Sequence, residues 1–210
     1  MNELKAQHSS CQKEGCWYYI VPSYTPTFGC LLNAYQTFTP IRRDSAKLLL
    51  AAVPQPFKWS PLVATMAETA IIQTIVPPNL ITSPPHYPSN KPDDPKAFVS
   101  ATSTDVLENL LDANILHLAC HGYYNQADSL GSGFVMQDKM LTIPEIMSLK
   151  LSNPLFAFLS ACETARAATD QLDQSVHLAA TMLFTGFKSV IGTMWQASCL
   201  LARKIFLLHI

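Results

Sequence analysis

Ile115-Leu116-His117-Leu118-Ala119-Cys120-His121-Gly122 is an apolar run of strand length that stops on a histidine and a glycine. Further along, Phe156-Ala157-Phe158-Leu159-Ser160-Ala161-Cys162-Glu163-Thr164 follows the same plan and stops on a cysteine among small and polar residues. Strands covered on both faces read as continuous apolar runs, and such strands build parallel sheets. Side chains at the carboxyl ends of those strands line the crevice where ligands bind. Two neighbouring strands of this kind bring His121 and Cys162 together there. A histidine beside a cysteine is the minimal machinery for thiolate attack on an acyl group.

Each residue has a blander reading to set against this one. Cysteine is among the most often buried residue types, and a histidine at a strand end is more often structural than catalytic. Around Cys162 the neighbours turn small and polar, so the run changes from strand to loop at that point. A turn or helix start following it offers backbone N–H groups to a thiolate and to an oxyanion. Gly122 lets its backbone approach a ligand closely and can aim its N–H at an oxyanion. His117 lies deeper in the same strand and reads as a structural or orienting residue. Cys120 points to the opposite face from its neighbours and reads as inert core.

Working outward, Trp17 to Pro22 has strand character, and Tyr24 to Pro40 is expected to hold a short helix between turns. Lys47 to Val53 predicts a strand buried on both faces. Leu62 to Ile75 predicts a helix, with Leu62, Met66, Thr69-Ala70 and Gln73 at helical spacing. Leu80 to Thr82 is a short strand. Pro77 to Pro95 is proline-dense and reads as a surface loop. Thr104 to Ala113 follows as a helix capped by Ser103 or Thr104, with Val106, Leu107, Leu110 and Leu111 on one face. Phe134 to Leu141 predicts a hairpin, and Thr142 and Pro144 open a short helix through Met147. Val176 to Phe184 is a helix, Phe187 to Met194 a strand, and Cys199 to Leu208 a last helix. Alternation of strand and helix from residue 104 onward is the mark of an α/β sheet covered by helices.

Composition narrows the function. Of 210 residues, 49% are hydrophobic and 14% charged, so a large buried core is expected and disorder is not. The formal net charge of −1 gives no basic footprint for nucleic acid and no polybasic membrane anchor. No apolar window is long enough to span a bilayer. Residues 1–16 are polar and charged, a polar N-terminal extension unlike a secretory signal. The cysteines Cys11, Cys16, Cys30, Cys120, Cys162 and Cys199 form no C-x-x-C pair. Reduced thiols in an intracellular, cytoplasmic protein are therefore expected, with no metal and no organic cofactor. There is no G-x-S-x-G to make Ser160 a nucleophile, and no P-loop, dinucleotide fingerprint or H-E-x-x-H.

His117 to Gly122 and Leu159 to Thr164 resemble the two motifs of the CHAT domain family, caspase-like proteins within the caspase and separase clan. The likeness continues in Val21 to Thr27, Val176 to Ala180 and Gly186 to Trp195, so it runs from about residue 17 to 196. The wording is similar to CHAT proteins of mushroom-type fungi, in which the domain often follows TPR repeats. The resemblance implies a caspase-hemoglobinase-like three-layer sandwich, with a central, mostly parallel sheet flanked by helices, over residues 17–210. It implies His121 as general base and Cys162 as nucleophile, with the N–H groups of Gly122 and Cys162 as the oxyanion hole. A cysteine endopeptidase acting on protein or peptide substrates in a signalling or cell-death-type pathway follows, with an upstream TPR-type or signalling partner. Relatives carry an extra first strand and an acidic stretch after the residue corresponding to Trp195. Neither is recognisable here, so a domain truncated at one or both ends is expected. A catalytically inactive interaction or signalling module is the alternative.

Overall fold

Five parallel strands form the centre of this computed structural model, which describes residues 25–83, 100–123, 125, 127–161 and 172–192. In chain order the first elements are α1 (Phe28–Gln36), β1 (Leu48–Ala52), α2 (Ala64–Ile75) and β2 (Ile81–Thr82). Next come α3 (Ser103–Leu110), β3 (Ile115–Ala119), β4 (His121–Tyr123), β5 (Gly133–Val135) and β6 (Met140–Thr142). Finally there are α4 (Ile143–Met147), β7 (Phe156–Ser160), α5 (Leu172–Phe184) and β8 (Ser189–Gly192). The main sheet has the order β2-β1-β3-β7-β8, and β4-β5-β6 is a separate antiparallel sheet.

Alternation along the strands divides the core in two. Leu49, Ala51 and Val53, then Leu116, Leu118 and Cys120, then Ala157 and Leu159 share one face. There they pack with Val106 and Leu110 of α3, Ile143 and Ile146 of α4, and Leu178 and Met182 of α5. Leu48, Leu50 and Phe158 share the other face with Ile72 of α2 and Val76 beyond it. Both faces of β1 are therefore covered, which is why all its residues, Leu48 to Ala52, are buried and apolar. Helices on both sides of a parallel sheet make the α/β three-layer arrangement that the motifs implied.

Chain direction sets the place of the crevice. From β1 the chain crosses by α2 to the outer strand β2, whereas from β3 it leaves toward β7 on the opposite side. The carboxyl ends of β1 and β3 thus flank a topological switch point, where open α/β sheets bind ligands. At the amino ends, Asn114 accepts from Lys47 N at 3.0 Å and donates from Nδ2 to Asn153 O at 3.0 Å. Its own carbonyl accepts from Leu155 N at 2.7 Å.

Several sequence expectations need correction. The third helix begins at Ser103 with Thr102 as cap, because Thr102 and Asp105 form a reciprocal capping box. It ends at Leu110, and Leu111 is exposed rather than part of the apolar face. In α2 the buried positions are Thr65, Glu68, Thr69 and Ile72, not the Met66 and Gln73 stripe. The Pro77 loop is shorter at its start, since Pro78–Leu80 is a 3-10 turn leading into β2, parallel to β1. β8 is confined to Ser189–Gly192 in the described residues, and α5 begins at Leu172, ahead of Val176. The expected strand at Trp17 to Pro22, the helix at Cys199 to Leu208 and most of the proline-dense segment lie outside the described residues.

The hairpin of β5 and β6 is as expected, and Gly133 shows why it holds. A Cβ on Gly133 would collide with the Leu141 carbonyl on the paired strand. Gly133→Ala is expected to cost about 1–3 kcal/mol, as overpacking against backbone does; chemical denaturation checks this, and an unchanged midpoint would contradict it.

Asp138, in the turn of that hairpin, holds the start of α3. Ser103 donates to it from Oγ at 2.6 Å and from N at 2.8 Å. Burial pushes the Asp138 pKa up, but the Ser103 hydrogen bonds, with the N–H groups of Lys139 and Asp138 itself, leave it below its ordinary value. A carboxylate depressed in the folded state stabilises above its ordinary pKa of 3.8. That contribution is lost as pH falls through the folded value. Asp138→Asn should therefore be less stable than the parent near neutral pH, with the gap closing on acidification below 3.8. A gap that stays constant across an acid series of melts would contradict this.

Candidate active site

His121 does not continue β3. The main-sheet strand stops at Ala119, the chain bends at Cys120, and His121 opens β4 in the small antiparallel sheet. Cys120 is 1% exposed and sits in the larger core cluster, on the face opposite His117, as alternation requires. β3 and β7 are adjacent and parallel, with Ala119 opposite Ser160 at their paired ends. His121 and Cys162 each stand two positions past those ends in the chain. Cys162 itself, with Glu163 and Thr164, lies outside the described residues.

The His121 ring is held from the loop that follows β1. Its Nε2 lies 2.7 Å from the Ser60 carbonyl oxygen. A carbonyl can only accept, so Nε2 carries the hydrogen and donates it. In the neutral ring the lone pair is then on Nδ1, which defines the basic nitrogen. Trp59 covers the ring at 5.4 Å between centroids and meets Tyr123 edge-on at 5.8 Å. His121 is 1% exposed beneath Trp59, which is itself 40% exposed.

The loop that supplies Ser60 is pinned along its length. Val53 N donates to Ala119 O, Leu62 N to Pro54 O and Phe57 N to Met136 O. Gln55 N donates to Ser100 Oγ at 2.9 Å. Lys58 takes a left-handed backbone, φ 61°, one residue before Trp59. That conformation is uncommon for a side chain other than glycine or asparagine.

Gly122 is placed with its backbone turned away from the hairpin. Between β5 and β6, hydrogen-bonded pairs are marked by Met136 N to Lys139 O and Ile143 N to Ser132 O. Alternation therefore points the Phe134 N–H and C=O at β6. Gly122 is registered opposite Phe134, so the β4–β5 ladder bonds come from His121 and Tyr123. The Gly122 N–H and C=O are directed to the other side of β4. A Cβ at Gly122 would lie 3.5 Å from the Ala161 carbonyl and 3.0 Å from Leu178 Cδ1. Gly122 and the residue before Cys162 are thus neighbours.

A second cluster lies beneath. Glu68 Oε1 is 3.1 Å from His117 Nε2, with side chains 6% and 0% exposed. Ser160 Oγ donates to Glu68 Oε2 at 2.9 Å. The His117 ring stacks on Phe158 at 5.1 Å and 6°. His117 is buried within β3, deeper than His121 as expected; Glu68 and Ser60 carry no signal in the sequence. Among the described residues no group of three or more His, Cys, Asp or Glu is placed to hold a metal, and no helix is long and apolar enough to cross a membrane.

The family model of the CHAT domain matches residues 18–206. The chain belongs to the CHAT domain family. A search of curated proteins found no match. CHAT domains are caspase-like and peptidase-related, and the parallel α/β sheet described above is consistent with that fold.

Gly122 also yields a structural test. Leu178 Cδ1 is the end of a side chain, so an added methyl displaces it by a few tenths of an ångström rather than meeting backbone. Gly122→Ala is expected to cost about 1 kcal/mol. It should cost less than Gly133→Ala; the reverse ranking in denaturation midpoints would contradict the packing described.

Proposed function

We propose that this CHAT domain is a cysteine endopeptidase in which His121 is the general base and Cys162 the nucleophile. The observation that supports it most is the Nε2 hydrogen bond to the Ser60 carbonyl, which leaves Nδ1 as the basic nitrogen. Nδ1 takes the proton from the Cys162 thiol, and the thiolate sulfur bonds to the scissile carbonyl carbon. The carbonyl electron pair moves to oxygen, where the N–H groups of Gly122 and Cys162 receive it. Collapse of this adduct breaks the C–N bond, and the protonated Nδ1 gives its proton to the leaving amine. Water then hydrolyses the thioester, its proton passing to His121 and on to the sulfur. The substrate is a protein or peptide in a signalling or cell-death-type pathway, and the compartment is the cytoplasm.

The alternative is an inactive interaction module. In its favour, α1 presents Phe28, Leu31, Leu32 and Tyr35 at helical spacing with none of them buried.

Cleavage of a diverse peptide library separates the two readings. Cys162→Ala and His121→Ala are each expected to abolish turnover to a similar degree, because members of a dyad act as a unit. Cys120→Ala should retain turnover and lose stability on the order of 1 kcal/mol, as a buried side chain on the opposite face. No cleavage by the parent protein, or cleavage that survives Cys162→Ala, would overturn the proposal.

A further inference from the structure

Glu68 is the one acidic residue of α2, and it is buried against the sheet at 5% exposure. A carboxylate there is costly, because it gives up water and is repaid only by well-placed partners. Apolar side chains of similar size would fill the same space without that cost, so stability is a poor reason for an acid at this position. What the carboxylate does is geometric. One oxygen meets His117 of β3 and the other meets Ser160 of β7. Its own helix follows directly on the loop whose Ser60 carbonyl holds the His121 ring.

Three segments that carry parts of the candidate active site are therefore tied to one side chain. β3 leads in four residues from His117 to His121, and β7 ends at Ser160, two residues before Cys162. Stacking of His117 on Phe158 adds a second link between the same two strands. We propose that Glu68 is a positioning residue: it locks α2 to the middle of β3 and the carboxyl end of β7 and so fixes where the His121 ring stands relative to the end of β7. The proposal rests on the dyad reading and adds to it a residue that touches neither substrate nor the reacting atoms.

The test reads the thiols of the full chain by the rate of iodoacetamide alkylation, mapped by mass spectrometry. Cys30, half-buried on α1, is the reference, and buried Cys120 reports loss of structure. Glu68→Leu is expected to slow alkylation of Cys162 about tenfold or more, the scale on which a misplaced catalytic group loses effect. Cys120 should stay protected and Cys30 unchanged. Glu68→Gln should restore the rate to within about threefold, because its amide has the shape of the carboxylate and its oxygen can accept from Ser160 Oγ as the carboxylate does. Where Glu68→Leu exposes Cys120, Ser160→Ala decides: it removes one link only and should slow Cys162 while Cys120 stays protected. Parent-like rates at Cys162 in the well-folded variant, or failure of Glu68→Gln to restore the rate, would overturn the positioning role. A parent protein whose Cys162 reacts no faster than Cys30 would overturn the dyad reading, and this inference with it, before any variant is made.

Discussion

The in-register pairing of β3 with β7 is the constraint on which the rest of this protein depends. Ala119 lies opposite Ser160, and each strand releases its chain at the same height in the sheet. Parallel pairing cannot slip by one residue without turning Leu116 and Leu118, or Ala157 and Leu159, out of one core and into the other. The register is therefore set by burial on both faces. Function inherits it, because the two residues proposed to react each follow a paired end by two positions in the chain.

Polar side chains secure that pairing from both ends. At the amino ends Asn114 joins the starts of β1, β3 and β7 through three short hydrogen bonds. Toward the other end the Glu68 carboxylate of α2 meets His117 in the middle of β3 and Ser160 at the end of β7. His117 apart, the paired residues between them, Leu116 and Leu118 of β3 and Ala157 to Leu159 of β7, are apolar. The His121 ring is then oriented from outside the sheet, by the Ser60 carbonyl and Trp59. Orientation by a backbone carbonyl fixes a tautomer without placing a second charge beside the base.

Much of this was legible in the residues. Continuous apolar runs announced β1, β3 and β7, and alternation put Cys120 in the core. The apolar Phe134 to Met136 and Met140-Leu141 on either side of Asp138-Lys139 announced the hairpin, although its first strand begins one residue earlier, at Gly133. The break at Cys120 was not legible, because the alternation of Leu118, Cys120 and Gly122 runs through it without a Pro or a long loop. Ser60 gave no sign, since it acts through a main-chain oxygen that every residue possesses. Glu68 carries no signal in the sequence because acidic residues on helices are ordinarily solvated; only His117 and Ser160, far away in the chain, give it a reason to be inside. The helix cap is Thr102 rather than the expected Ser103 or Thr104, because Thr102 is the hydroxyl residue that Asp105, three positions on, can reach back to.

The proposed chemistry depends most directly on the state of the His121 ring. Long-range nitrogen–proton NMR of the Cys162→Ala variant, recorded with the ring neutral, reads which nitrogen carries the hydrogen. Ser60 as acceptor predicts a protonated Nε2 and a pyridine-type Nδ1. A ring protonated on Nδ1, with Nε2 bare, would contradict the arrangement from which the chemistry is derived.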